Sequence, residues 1–139
     1  EQEIRPTGFY RNKARTVTKC CKQLVANYHG KVPANVEELT RLAGVGRKTA
    51  NMVVGNAFGA PAISVDTHVS RVSLRLGLAS SKNADKVEQE LVAQVPHDKW
   101  TVFSNAMILH GREVCTARKP HCCECILYTE CAWPEKPVC

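Results

Sequence analysis

The sequence has no run of apolar residues approaching the roughly 18 that a membrane-spanning helix needs. No basic-then-apolar leader opens it either. Together these absences predict no membrane partner and an intracellular setting. The chain begins at Glu1 rather than at a methionine, which leaves open a fragment or a processed form.

Alternating apolar and polar residues, the pattern of a half-buried strand, are also missing. Apolar residues instead recur at helical spacing between tight Gly, Pro and Asn turns, so the sequence predicts an all-α protein. With 44% hydrophobic residues, it can bury one modest core or two small ones. The expected helices cover residues 9–28, 36–42, 47–58, 67–77, 83–95 and 98–114.

Acidic residues are fewer than basic ones. There are 19 Lys and Arg against 13 Asp and Glu, which gives a formal charge of +6 and a pI near 9.0. This charge suits a polyanionic partner, although an ordinary soluble basic protein is an open alternative. The first expected helix concentrates the charge, because its polar face carries only cations: Arg11, Lys13, Arg15, Lys19 and Lys22.

A glycine-rich turn, Leu-Ala-Gly-Val-Gly-Arg-Lys over residues 42–48, precedes the third expected helix. Gly44 and Gly46 permit positive φ angles, so the chain can reverse tightly and leave amides pointing outward at a helix N-terminus. Such amides attract anions, and the missing side chains would let a DNA backbone come close. A plain turn between two helices is the alternative. The candidate phosphate contacts are Gly44, Val45, Gly46 and Arg47.

Lys48 and Asp66 are the candidate reactive residues. Lys48 lies in the first turn after the hairpin, where Arg47 and the positive end of the helix dipole favour the neutral amine that a nucleophilic lysine requires. A lysine that only contacts phosphate is the alternative. Asp66 ends a short apolar run just before a helix, so a helix cap is its simpler interpretation.

Five of the eight cysteines crowd one short segment, which favours a metal site over disulfides. Zinc is one possibility, although only Cys122 and Cys125 form the Cys-x-x-Cys pair that structural zinc sites usually repeat. Cys123 is interpreted as a non-ligand. Three further cysteines are expected to be free thiols: Cys20, Cys21 and Cys139.

Three segments together resemble the endonuclease III family of DNA glycosylases: Gly-Val-Gly-Arg-Lys-Thr-Ala-Asn at 44–51, Ala-Phe-Gly at 57–59, and Val-Asp-Thr-His at 65–68. The resemblance implies that Lys48 and Asp66 are the catalytic pair. Lys48 would attack the sugar, displace the base and form a Schiff base that allows strand cleavage by β-elimination. Adenine-specific relatives lack this lysine, so its presence implies an AP lyase as well as an N-glycosylase.

The resemblance also implies a helix-hairpin-helix glycosylase fold in two parts. Residues 1–62 would form part of a six-helix barrel domain, and residues 63–139 would form an iron–sulfur domain. Helices that precede this segment in the family are absent from the chain. The cysteine spacing matches the family's 4Fe–4S cluster, with Cys115, Cys122, Cys125 and Cys131 as ligands. Arg118 and Lys119, in the loop between the first two ligands, would contact DNA.

The implied function is base excision repair of oxidised pyrimidines. The implied partner is double-stranded DNA that contains damaged bases or abasic sites, bound by a monomer. The location would be cytoplasmic, with nucleoid association in a bacterium. The alternatives are a pyrimidine-dimer glycosylase of the same family, a non-catalytic DNA-binding module, and an electron carrier built around the cluster.

Overall fold

The computed structural model describes residues 1–139 and contains helices but no strands, which confirms the all-α prediction. Two short 3₁₀ turns cover His97–Lys99 and Cys122–Glu124. No helix combines the length and the hydropathy that a membrane span requires. The six α-helices are α1 (Tyr10–Tyr28), α2 (Val36–Leu39), α3 (Arg47–Ala57), α4 (Thr67–Leu76), α5 (Ala84–Gln94) and α6 (Trp100–Glu113).

The helix ends follow local side-chain chemistry. Asn35 caps α2 by accepting a hydrogen bond of 2.8 Å from the amide of Glu38, and Asn83 caps α5 in the same manner. Gly77 ends α4 with a φ of 75°, which glycine adopts without strain. Two boundaries differ from the sequence prediction by more than one residue. Helix α2 ends at Leu39 rather than at Leu42. Residues 97–99 form a separate 3₁₀ turn after Pro96, so α6 begins at Trp100 rather than at Asp98.

Two hydrophobic clusters form the interior. The smaller one joins α2, the hairpin and α3 through Leu39, Leu42, Ala50 and Val54. The larger one joins the segment after residue 62 to the last three helices: Ile63, Val65, Val69, Val72, Val87, Leu91, Met107 and Ile108. The division of the chain at residue 62 stays a prediction.

One buried hydrogen bond connects the two clusters, and a second attaches the segment after residue 62 to α6. The side-chain amide of Asn51, on α3, donates to the carbonyl of Ile63 at 2.7 Å. The amide of Ser64 donates to the hydroxyl of Ser104, on α6, at 3.0 Å. Both bonds fix the extended segment that leads to Asp66. They therefore hold the start of α4 in place relative to α3 and α6.

Helix α1 lies against the hairpin along one side only. Cys20, Leu24 and Tyr28 are partly buried against the smaller cluster. The side chain of Gln23 accepts a hydrogen bond of 2.7 Å from the amide of Ala43, at the start of the turn. No residue of α1 is fully buried.

Candidate functional site

The hairpin turns at Gly44, whose φ of 76° lies in the left-handed region. A β-carbon there would clash with the side-chain methyl of Thr16 on α1, so residue 44 must be glycine for two reasons. Gly46 differs, because its φ of −85° and ψ of 173° are open to any residue. No heavy atom lies within 4 Å of where its β-carbon would be, so the surface at Gly46 is open to a ligand.

The first turn of α3 presents free amides. The first intrahelical bond runs from the amide of Ala50 to the carbonyl of Gly46 at 2.9 Å. The amides of Arg47, Lys48 and Thr49 therefore have no helical acceptor. Together with the open surface at Gly46, they make a site that can bind an anion such as a phosphate.

The side chain of Arg47 is already paired. Its guanidinium donates three hydrogen bonds to the carboxylate of Glu88 on α5, the shortest being Nη2–Oε1 of 2.9 Å and Nε–Oε2 of 3.0 Å. Hydrogen bonding and charge attraction from Glu88 raise the pKa of Arg47. The pair joins α3 to α5, so at residue 47 the hairpin offers an anion the backbone amide rather than the guanidinium.

Lys48 and Asp66 face each other. Lys48 Nζ lies 4.0 Å from Asp66 Oδ2, and the exposed fractions of the two side chains are 47% and 10%. The other carboxylate oxygen, Oδ1, accepts hydrogen bonds of 2.8 Å from the amides of His68 and Val69. Asp66 therefore caps α4 with one oxygen and faces the lysine with the other, so the capping role and the pairing role occur together.

The pair opens onto a cleft of about 860 Å³ whose floor is the outer side of α4. Sequence reasoning missed most of its lining: the larger part lies on α4 beyond the motif that contains Asp66, and the rest comes from around the start of α5 and the C-terminal tail. Besides the pair, the cleft is lined by Val65, Thr67, His68, Ser70, Arg71, Leu74, Arg75, Lys82, Ala84 and Trp133. Cations dominate its charged groups, which suits a polyanionic ligand.

Arg71 was not singled out from the sequence, although it fixes the end of α6 to α4. It donates hydrogen bonds to the carbonyls of Gly111 at 2.7 Å and Cys115 at 3.0 Å. These carbonyls lie at the C-terminal end of α6, where helices lack internal donors. Arg71 also donates to Nδ1 of His68, which orients that ring.

Arg75, one helical turn later on α4, contacts the cysteine segment. Its guanidinium donates to Cys115 Sγ at 3.2 Å and to the carbonyl of Thr116 at 2.9 Å. It also lies 3.8 Å from the ring centre of Trp133. The spacing of Arg71 and Arg75 was the one sequence signal for this role, because residues four apart share a helix face.

The structure brings Cys115, Cys122, Cys125 and Cys131 to the wall of one small cavity. Burial and the charges of the other three thiols raise the pKa of Cys122. Four thiolates in one cavity repel each other, so this donor set fits a cationic group bound by sulfur. No three of the chain's His, Cys, Asp or Glu side chains are close enough together to hold a single metal ion.

The prediction that Cys139 is a free thiol is wrong, because it forms a disulfide with Cys123. The C-terminal tail folds back to make this possible: the hydroxyl of Tyr128 donates to the carbonyl of Pro137 at 3.0 Å, and Lys136 Nζ donates to the carbonyl of Tyr128 at 2.9 Å. Cys20 and Cys21 are free thiols, as predicted.

Arg118 and Lys119 are exposed in the loop between Cys115 and Cys122. The loop is closed by a hydrogen bond of 2.9 Å from the amide of His121 to the carbonyl of Val114. Neither cation forms an ion pair or hydrogen bond through its side chain, so both are available to a partner. Their contact with DNA stays a prediction.

Comparisons with known proteins agree with this architecture. Residues 1–97 match the model of the HhH-GPD superfamily of base excision DNA repair proteins. Endonuclease III of Bacillus subtilis (strain 168) is 47% identical over 137 residues, which are 98% of this chain and 63% of that protein. Endonuclease III of Escherichia coli (strain K12) is 44% identical over 133 residues, or 96% of this chain and 63% of that protein.

Solved structures give the same result. A trapped covalent intermediate of endonuclease III with DNA, an estranged-adenine complex, superposes with a TM-score of 0.89 at 48% identity, covering 94% of this chain and 62% of that one. A thermostable thymine-DNA glycosylase superposes with a TM-score of 0.83 at 26% identity, covering 95% and 63%. The chain thus spans less than two thirds of the length of these relatives.

Proposed function

Because the chain belongs to the HhH-GPD superfamily of base excision DNA repair proteins, we propose that it carries the catalytic pair of a bifunctional DNA glycosylase and AP lyase of the endonuclease III type. The observation that carries the proposal is the placement of Lys48 Nζ 4.0 Å from Asp66 Oδ2 at the mouth of a cation-lined cleft. The trapped covalent complex formed by a relative with DNA supports it further.

Lys48 supplies the nucleophile. Its amine attacks C1′ of the damaged nucleotide, the C–N bond to the base breaks, and the base leaves with the bonding electrons and takes up a proton. Opening of the sugar ring then gives a protonated Schiff base between Nζ and C1′. Loss of a proton from C2′ expels the 3′ phosphate by β-elimination, and hydrolysis releases the lysine. A half-exposed lysine at the cleft mouth can reach such a sugar.

Asp66 supplies negative charge beside that sugar. As the base leaves, positive charge develops on the ring, and a carboxylate held in place stabilises it. Asp66 is suited to this role because the amides of His68 and Val69 fix one of its oxygens. The second oxygen faces the amine of Lys48, where it can also assist proton transfer.

The substrate is double-stranded DNA with the damaged nucleotide turned out of the helix, because neither residue can reach C1′ inside a stacked duplex. The amides of Gly44, Gly46 and Arg47 hold the phosphate backbone without reading sequence. The amide of Val45 instead donates to the carbonyl of Leu42 at 3.1 Å, so Val45 offers phosphate no free donor. Arg118 and Lys119 add a second phosphate contact from the cysteine loop.

A 4Fe–4S cluster bound by Cys115, Cys122, Cys125 and Cys131 would fix the ends of that loop. The lining of one cavity by all four thiols supports this ligand set. When bound, the cluster would tie the loop to the protein through four metal–sulfur bonds. Metal analysis of the purified protein should find about four irons and four sulfides per chain; one zinc and no iron would contradict the assignment.

Oxidised pyrimidines are the proposed lesions. Borohydride trapping on duplexes that contain thymine glycol, an abasic site or a pyrimidine dimer tests lesion and mechanism together. We expect covalent adducts on the first two duplexes. Adducts on the dimer and abasic duplexes but not on the thymine-glycol duplex would indicate the related dimer glycosylase, and binding without any adduct would indicate a non-catalytic DNA-binding module.

A further inference from the structure

The outward side of α1 carries a line of cations that the hairpin, the cleft and the cysteine loop do not use. These residues follow at intervals of four, four and three, so they lie along one side of the helix. We propose that this line, the basic stripe, is a second surface that binds the phosphate backbone of duplex DNA. It consists of Arg11, Arg15, Lys19 and Lys22.

The basic stripe is separate from the hairpin surface. Cys20 and Leu24 face the smaller hydrophobic cluster. At 3.6 residues per turn, the stripe lies on nearly the opposite side of the helix. A duplex bound to the stripe therefore makes a contact separate from the one at the hairpin. Either one bent substrate reaches both surfaces, or a second segment of DNA binds to the stripe.

The stripe has no internal counter-charge. Helix α1 contains no Asp or Glu, and no ion pair of the structure involves a stripe residue. Glu1 lines the same shallow groove as three of the cations, without an ion pair within 4 Å. Arg11 is held by a contact of its own, because its Nε donates to the hydroxyl of Tyr10 at 3.2 Å.

We expect the stripe to stay exposed in a longer form of the protein. The free-energy cost of burying several unpaired cations exceeds the stabilisation from the apolar contacts of one helix face. Additional helices would therefore cover the apolar side of α1 instead. That apolar side includes Val17, which is 58% exposed. The cationic side is then free for a partner in solution.

The geometry favours a nucleic-acid backbone over an acidic peptide. From Arg11 to Lys22 the helix rises about 16 Å, enough to face several successive phosphates on a strand that rises about 3.4 Å per nucleotide. Thr18, which lines the same groove as Arg15, Lys19 and Lys22, adds a hydroxyl that can donate to a phosphate. No aromatic residue lies between the cations to stack on a base, so binding there is independent of sequence.

The inference rests on the proposed function in one respect, that duplex DNA is the partner. The test is the triple variant Arg15→Gln, Lys19→Gln, Lys22→Gln, titrated with an undamaged fluorescent duplex over a range of KCl concentrations. The slope of log K against log [KCl] should flatten by about 2.7, because each lost phosphate contact removes about 0.9 from it. Circular dichroism should show unchanged helicity. If it does not, the three single variants should each flatten the slope by about 0.9.

A matched control removes the same charge elsewhere with Lys31→Gln, Lys86→Gln and Arg112→Gln, all exposed. It should flatten the slope by less than about one unit. Equal slopes for the two triple variants would overturn the inference and indicate that the stripe serves another acidic partner or none.

Borohydride trapping with a saturating concentration of abasic duplex distinguishes a failure of the stripe inference from a failure of the proposed function. The stripe variant should trap at the wild-type level, because Lys48 and Asp66 are untouched. Absence of trapping in the wild-type protein would contradict the proposed chemistry, while the salt slope alone decides whether the stripe binds DNA.

Discussion

Asp66 Oδ2 lies 4.0 Å from Lys48 Nζ, while Oδ1 of the same carboxylate accepts the amides of His68 and Val69 at 2.8 Å. The N-terminus of α4 thus holds the carboxylate rigidly on one side and presents it to the lysine on the other. Helix capping and the proposed catalytic role use different oxygens of one side chain, so substitutions can separate them.

Asp66→Asn should keep the cap and remove the charge. Asn is as good a cap as Asp, so the stability should change little. Base removal on a thymine-glycol duplex, measured in single-turnover experiments, should slow by about 10² or more, the usual scale for losing a placed electrostatic group. Asp66→Ala is the comparison, and it should additionally lose about 1 kcal/mol of stability. Wild-type base removal by Asp66→Asn would refute the electrostatic role.

The two hairpin glycines should respond differently to substitution. Gly46→Val should leave the thermal midpoint near the wild-type value, because the backbone torsions there suit any residue, and it should weaken DNA binding by blocking the backbone's approach. Gly44→Val should destabilise the fold, because φ is positive and Thr16 is in contact. Thermal unfolding and fluorescence anisotropy separate the two effects. Unchanged affinity in folded Gly46→Val would contradict the phosphate site.

The cysteine-loop cations should bind phosphate without reading sequence. Arg118→Ala and Lys119→Ala should each weaken binding to all duplexes alike and lower the salt slope by about one unit. The measurement is duplex affinity at several KCl concentrations. Arg112→Ala, an exposed cation on α6, is the control. A loss of affinity restricted to one sequence would argue against a backbone contact.

The cysteines should divide into ligands and non-ligands. Cys125→Ser should lose iron and weaken DNA binding, because the loop between the ligands would no longer be fixed. Cys123→Ser breaks the disulfide with Cys139 but should keep the iron and the DNA affinity. Iron content and visible absorbance report the outcome, with Cys21→Ser as an exposed free-thiol control. Iron loss in Cys123→Ser would indicate a different ligand set.

The sequence predicted the helices well because their signals are local. Periodic apolar residues and capping residues such as Asn35 and Asn83 lie within the helices or next to them. Contacts between distant residues were not predictable in this way. The Arg47–Glu88 pair spans 41 residues, and Arg75 reaches Cys115 across 40. The return of Cys139 to Cys123 likewise depends on how the tail folds.

The candidate site was predicted in part. Lys48 and Asp66 were identified from motifs that lie 18 residues apart, and the fold places their side chains within reach of each other. The walls of the cleft were not anticipated, because Lys82 and Trp133 belong to no local motif and reach the site only through tertiary packing.

Lys48 is the proposed nucleophile, and borohydride trapping of Lys48→Gln on an abasic duplex tests this role most directly. An amide cannot form a Schiff base, so this variant should still bind DNA but give no trapped adduct and no strand nicking. Lys82→Gln, a cation of the same cleft, is the matched control and should trap normally. A trapped adduct at the wild-type level in Lys48→Gln would show that another amine is the nucleophile and would contradict the account.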